Sequence, residues 1–194
     1  MSAAFHSLIT AIRACDLCQD ELAHGVRPVV QANNLSKILI AGQAPGARVH
    51  ATGVPFDDPS GDRLRDWMGI DRQTFYDETQ IAILPMGFCY PGKGRSGDLP
   101  PVPRCAPTWR QKVLDQLPHI QLMLVIGQYA QAWHLEGGAR TLTETVKNWQ
   151  FFGDAIVPLP HPSPRNNIWL KKNPWFELTV LPVLKARVTN ALET

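Results

Sequence analysis

The chain has 194 residues, 44% hydrophobic and 19% charged, with a formal net charge of +2. That length buries a full core in one domain, expected to span residues 1–194, and the composition is that of an ordinary globular protein. The charge is low for a protein that binds nucleic acid by electrostatics alone. No apolar run approaches a membrane span. The N-terminus, Met1 to His6, lacks the basic and apolar regions of a signal peptide. A cytoplasmic chain is therefore expected, where disulfides are disfavoured and cysteines serve as free thiols or thiolate ligands.

Four apolar runs read as strands in chain order: Ile38 to Ala41, Ile81 to Leu84, Leu122 to Ile126 and Ala155 to Leu159. The first three are continuous rather than alternating, as in parallel strands covered on both faces. Helical segments fall between them. Ser60 is positioned to cap Gly61 to Met68, with Gly69 at the exit. Thr108 is positioned to cap Trp109 to Leu117. Tyr129 to Leu135 follows the third strand, and Pro174 to about Leu192 has mixed helical periodicity interrupted by Pro182. This alternation predicts a three-layer α/β/α sandwich around a mostly parallel, four-stranded central sheet.

Every distinctive loop follows a strand. Gly42-Gln43-Ala44-Pro45-Gly46 follows the first, Pro85 to Cys89 the second, Gly127-Gln128 the third and Pro160 to Asn167 the fourth. Ligands bind at the carboxyl edge of open α/β sheets, so these loops are expected to converge on one site. The Gly42 to Gly46 string is neither a Walker A nor a dinucleotide fingerprint, and alone it also fits an ordinary strand-to-helix turn.

Phe56 sits in a polar, turn-forming loop before Asp57 and Asp58, either as an aromatic platform for a planar ring or folded onto the core. His161 is held in a Pro-rich segment, His161-Pro162-Ser163-Pro164-Arg165, suited to stabilising developing negative charge. From Arg165 to Trp175 there are three cations, Arg165, Lys171 and Lys172, no acids, and two tryptophans. That pattern suits single strands or extruded bases, and equally a solvated face with buried indoles. Cys15 and Cys18 are two residues apart, while Cys89 and Cys105 are joined by a Pro- and Gly-rich loop. Four thiolates satisfy a tetrahedral zinc or a [4Fe–4S] cluster, and the spacing does not choose between these or unmetallated thiols.

Taken together, these motifs resemble the uracil-DNA glycosylase superfamily, most closely its iron–sulfur branch. The matching residues are Gly42 to Gly46, Gly53-Val54-Pro55-Phe56 with Ser60-Gly61, the four cysteines, and His161-Pro162-Ser163. Pro164-Arg165-Asn166 is more similar to the single-strand-selective branch. The resemblance implies an α/β/α fold, a base-extrusion pocket, and a [4Fe–4S] cluster on Cys15, Cys18, Cys89 and Cys105. It implies a DNA partner presenting an extruded or single-stranded base, with no membrane partner and the chain acting as a monomer.

Three departures from the family pattern involve four positions. Its Glu is Gln43, its two following acids are Val49 and His50, and the Asn that reads uracil is Pro85. Proline has no side-chain donor or acceptor for a base edge.

The resulting expectation is a hydrolase of the N-glycosidic bond of uracil or another altered base in DNA, acting in base excision repair. Gln43 and His161 are the candidate catalytic residues. Phe56, Gly42, Asp57, Asp58 and His50 are candidates to bind the base, and Ser163, Arg165, Lys171 and Lys172 to bind DNA. The alternative is a catalytically weak DNA- or nucleotide-binding module that keeps the fold and the metal cluster.

Overall fold

The computed structural model describes residues 2–95, 97–137 and 141–193. Four strands, β1 (Ile38–Ala41), β2 (Ile81–Ile83), β3 (Leu122–Ile126) and β4 (Ile156–Leu159), form one sheet in the order β2-β1-β3-β4. All pairings are parallel, with Ile38 opposite Ile81 and Leu122, and Ile126 opposite Leu159. Pro158 lacks a ladder donor, and it lies in β4 at the sheet edge, where that lack is tolerated.

The helices follow in chain order: α1 (Ala3–Arg13), α2 (Ala47–Thr52), α3 (Pro59–Met68), α4 (Arg72–Phe75), α5 (Cys105–Leu114), α6 (Gly127–His134), α7 (Leu142–Lys147), α8 (Asn167–Lys172) and α9 (Leu181–Glu193). Strand alternation builds the layers. Ile38, Ile40, Ile81 and Ile83 face Leu64, Trp67 and Met68 of α3 and Leu184 and Val188 of α9. Leu39, Ala82 and Leu84 face Phe5, Ile9 and Ile12 of α1 and Val113 of α5. Because side chains point alternately to the two faces, a continuous apolar run covers both. The expected three-layer α/β/α fold is the one observed. No helix among the described residues is long and apolar enough to cross a membrane.

Several local expectations change. Asp58, not Ser60, caps α3, its Oδ1 accepting from the Gly61 N–H at 2.9 Å. Pro59 occupies the first turn, where its missing N–H costs nothing, and this moves the start forward. Helix α5 begins at Cys105, so Thr108 lies inside it and bonds back to the Arg104 carbonyl. The C-terminal segment is a π-helical turn, Phe176–Val180, leading into α9, with Pro182 in its first turn.

Candidate active site

The loops at the carboxyl edge of the sheet enclose a cavity of about 500 Å³. Its lining includes Gly42, Gln43, Phe56, Asp58, Pro85, Asp98, His161, Ser163 and Arg165. That volume is typical of a small-molecule pocket.

Backbone bonds join the ends of β1 and β2: Met86 N–H donates to the Gly42 carbonyl and Gly87 N–H to that of Gln43. This continues the strand register, with Gly42 opposite Pro85 and Gln43 opposite Met86. The Gln43 amide Nε2 donates to the Leu99 carbonyl at 3.0 Å. Its Oε1 is the acceptor end left for a ligand or water.

Phe56 is half-buried, and its backbone lies in the left-handed region at φ 53°. The ring packs edge-on against Phe75, with centroids 6.1 Å apart, and its Cζ is 3.8 Å from where a Gly42 Cβ would stand. A non-glycine residue in this conformation is strained and must be held by its surroundings. Gly61 permits the bend, because a Cβ there would meet the Phe56 carbonyl oxygen at 1.8 Å. Asp57 pairs with Arg72 at 3.0 Å, and the Tyr76 hydroxyl donates to the Pro55 carbonyl at 2.9 Å.

The His161 loop brackets itself. Ser163 N–H donates to His161 Nδ1 at 3.1 Å, and Asn166 Nδ2 donates to the His161 carbonyl at 2.7 Å. Arg63 of α3 donates to the Ser163 carbonyl and to Asn167 Oδ1. Burial holds the ring below its ordinary pKa, against the upward pull of Asp58 and Asp98. A neutral ring accepting at Nδ1 carries its proton on Nε2.

Beneath the cavity, buried Arg110 donates through Nη1 to the Leu84 and Pro85 carbonyls and through Nε to His134. Burial lowers Arg110 to about 10, and burial with the Arg110 charge lowers His134 to about 3. His134 is therefore a neutral acceptor. Sequence reading missed this pair, and also Asp98, which lies in the loop between Cys89 and Cys105.

The predicted residues do not all converge. Gly42, Gln43, Phe56, Asp58, His161, Ser163 and Arg165 line the cavity. Asp57 is committed to Arg72, and His50 stacks with Tyr90 and bonds to the His24 carbonyl, both outside the lining. Lys171 and Lys172 are exposed on the last turn of α8. Cys15, Cys18, Cys89 and Cys105 are free thiols that line a second, smaller cavity with Leu22, Val26, Phe88 and Val102. Phe88 N–H and the Trp109 indole N–H donate to the sulfurs of Cys105 and Cys15, each at 3.3 Å. Burial pushes the Cys105 thiol up to about 11. Among the described residues, no three His, Cys, Asp or Glu side chains converge closely enough to hold a metal ion.

The uracil DNA glycosylase superfamily model matches residues 30–185, most of the chain, including the cavity-lining loops that follow the strands. This chain belongs to the uracil DNA glycosylase superfamily. Membership of that superfamily accounts for the parallel sheet with its loops gathered at one edge. The matched span contains Cys89 and Cys105 but begins after Cys15 and Cys18.

Proposed function

We propose that this chain is a DNA glycosylase with a divergent active site, hydrolysing the N-glycosidic bond of uracil or another altered base extruded into the large cavity. The observation that carries the reading is the half-buried His161, its ring held below its ordinary pKa by burial, opening onto the same cavity as Phe56 and Gln43. Breaking the glycosidic bond leaves the electron pair on the base. A preorganised Nε2–H donor stabilises that charge without the proton transfer a charged ring would invite. Phe56 stacks on the extruded base. Gln43, held by Leu99, offers Oε1 to water but has no basicity of its own. Pro85 has no side-chain polar group with which to read a base edge, so selectivity is loose or shifted from uracil, with Gln43 and Asp58 supplying polar contacts.

Cys15, Cys18, Cys89 and Cys105 would hold a [4Fe–4S] cluster, the reading that places the chain in the iron–sulfur branch. The donor set is the right one, and N–H donors to two of its sulfurs are usual around such clusters. A single zinc draws four thiolates to about 2.3 Å of one point, whereas a cluster spreads its ligands over several irons. The choice of iron over zinc rests on the resemblance to the iron–sulfur branch. The cluster's contribution would be structural, fastening the Cys89 to Cys105 loop to the N-terminal segment. Anaerobically prepared protein is expected to contain four irons per chain, as a [4Fe–4S] cluster requires. Zinc, or no metal when iron is supplied, refutes this.

The deciding assay is base excision from oligonucleotides carrying a panel of modified bases, comparing the native chain with His161→Ala. Excision of at least one base, lost in the variant, is expected. No excision from any substrate by the native chain refutes the reading. Strict, efficient excision of uracil alone refutes the assignment of loose selectivity to Pro85.

A further inference from the structure

We infer that Asp98 is the carboxylate that activates the attacking water, an inference resting on the glycosylase reading above. The turn after β1 supplies Gln43, and an amide does not accept a proton from water at useful rates. Among the described residues, the lining of the cavity contains two carboxylates, Asp58 and Asp98. Asp58 is committed through Oδ1 to the N-terminus of α3. Asp98 is exposed, and among the described residues no hydrogen bond or ion pair engages its carboxylate.

Its position is set rather than accidental. The neighbouring Leu99 carbonyl receives the Gln43 amide, and Leu99 N–H donates to the Gly92 carbonyl. Asp98 itself pairs with Lys93 across an antiparallel bridge. Its Oδ2 lies 3.5 Å from where a Cβ on Gly46 would stand, so it reaches the same turn that carries Gln43. It also acts electrostatically on His161. Gly97 lets the loop come in close, since a side chain there would meet Arg165 Nη1 at 2.9 Å.

The step balances. The C1′–N bond breaks, and its electron pair enters the base, where the His161 Nε2–H stabilises it. A water oxygen forms the new bond to C1′, and a water proton passes to the Asp98 carboxylate. That proton then returns to solvent and the released base anion takes one up from solvent, leaving an abasic sugar and a neutral free base. Before water adds, the same carboxylate stabilises positive charge developing on the sugar.

The test uses the full chain, with single-turnover excision of whichever panel base the native protein removes. Asp98→Asn keeps the shape and loses the base. It is expected to slow excision by about a hundredfold or more, with affinity for an abasic-site duplex and thermal midpoint unchanged. In Asp98→Ala, added formate is expected to restore part of the rate, which a purely structural role does not permit. Excision by Asp98→Asn within about threefold of native overturns the assignment, as does the absence of formate rescue. If His161→Ala silences excision while Asp98→Asn does not, Asp98 alone is refuted. If the native chain excises nothing, the glycosylase reading falls and takes Asp98 with it.

Discussion

The backbone N–H of Ser163 donates to Nδ1 of His161 at 3.1 Å, and this bond decides which ring nitrogen faces a ligand as a donor. The expected form near neutral pH is the neutral ring protonated at Nε2. Nitrogen NMR of the histidine rings checks this directly. A ring that is charged at neutral pH, or protonated at Nδ1, contradicts the assignment. Replacing His161 by Ala removes a preorganised donor, and the expected cost in rate is about 10²–10³.

Phe56 and Gly61 form a second coupled pair. Phe56→Ala removes base stacking and is expected to lower activity by about 1–3 kcal/mol, roughly tenfold to a hundredfold. Because Phe56 has φ 53°, Phe56→Gly should be more stable than Phe56→Ala, by about 1–2 kcal/mol, despite losing the same ring. Gly61→Ala drives a methyl into the Phe56 carbonyl and is expected to destabilise by about 1–3 kcal/mol and to displace the ring. Denaturant melts of the three variants test the order. Equal stability of the Ala and Gly forms at position 56 would remove the strain argument.

How much of this was legible follows from the physics of each feature. The four strands were readable to within a residue because parallel strands buried on both faces leave continuous apolar runs. His161 and Phe56 were readable because each lies in a turn-forming loop at the ligand edge of the sheet. The cap of α3 was misread because Asp58 and Ser60 are both good caps, and only the fit of Pro59 to the first turn separates them. Asp98 was invisible because its loop has no periodicity and its approach to Gly46 depends on tertiary docking. His50 and Asp57 are polar and near the motifs in sequence, yet their partners Tyr90 and Arg72 draw them elsewhere. Arg110 is a charged residue on a helix, and sequence alone does not reveal that it is buried.

Arg165, Lys171 and Lys172 are exposed, and in a chain of charge +2 any phosphate contacts must be local. Replacing all three by Ala should weaken binding to unrelated DNA sequences alike. The slope of log K against log salt should become shallower by about 0.7–0.9 for each phosphate that is no longer neutralised. Binding isotherms at several salt concentrations measure it. An unchanged slope means that this segment does not touch the backbone.

The Arg110–His134 pair gives a pH signature of folding. His134 titrates at about 3 in the folded chain against an ordinary value of 6.5. Between these values the unfolded chain binds the proton and the folded chain does not. Stability contributed by the neutral ring is therefore fully present above about pH 6.5 and is lost progressively as the pH falls towards 3. His161, also depressed, acts in the same direction. Urea melts between about pH 7 and 4.5, where most carboxylates remain charged, should show declining stability. His134→Gln keeps an acceptor for Arg110 Nε without a titrating ring, and it should flatten this slope without abolishing it. Arg110→Met, by contrast, strips the donors from the Leu84 and Pro85 carbonyls and should destabilise at every pH, by about 1–3 kcal/mol for the acceptors left unpaired. If His134→Gln leaves the pH slope unchanged, the acid sensitivity arises elsewhere, and the buried pair is not its source.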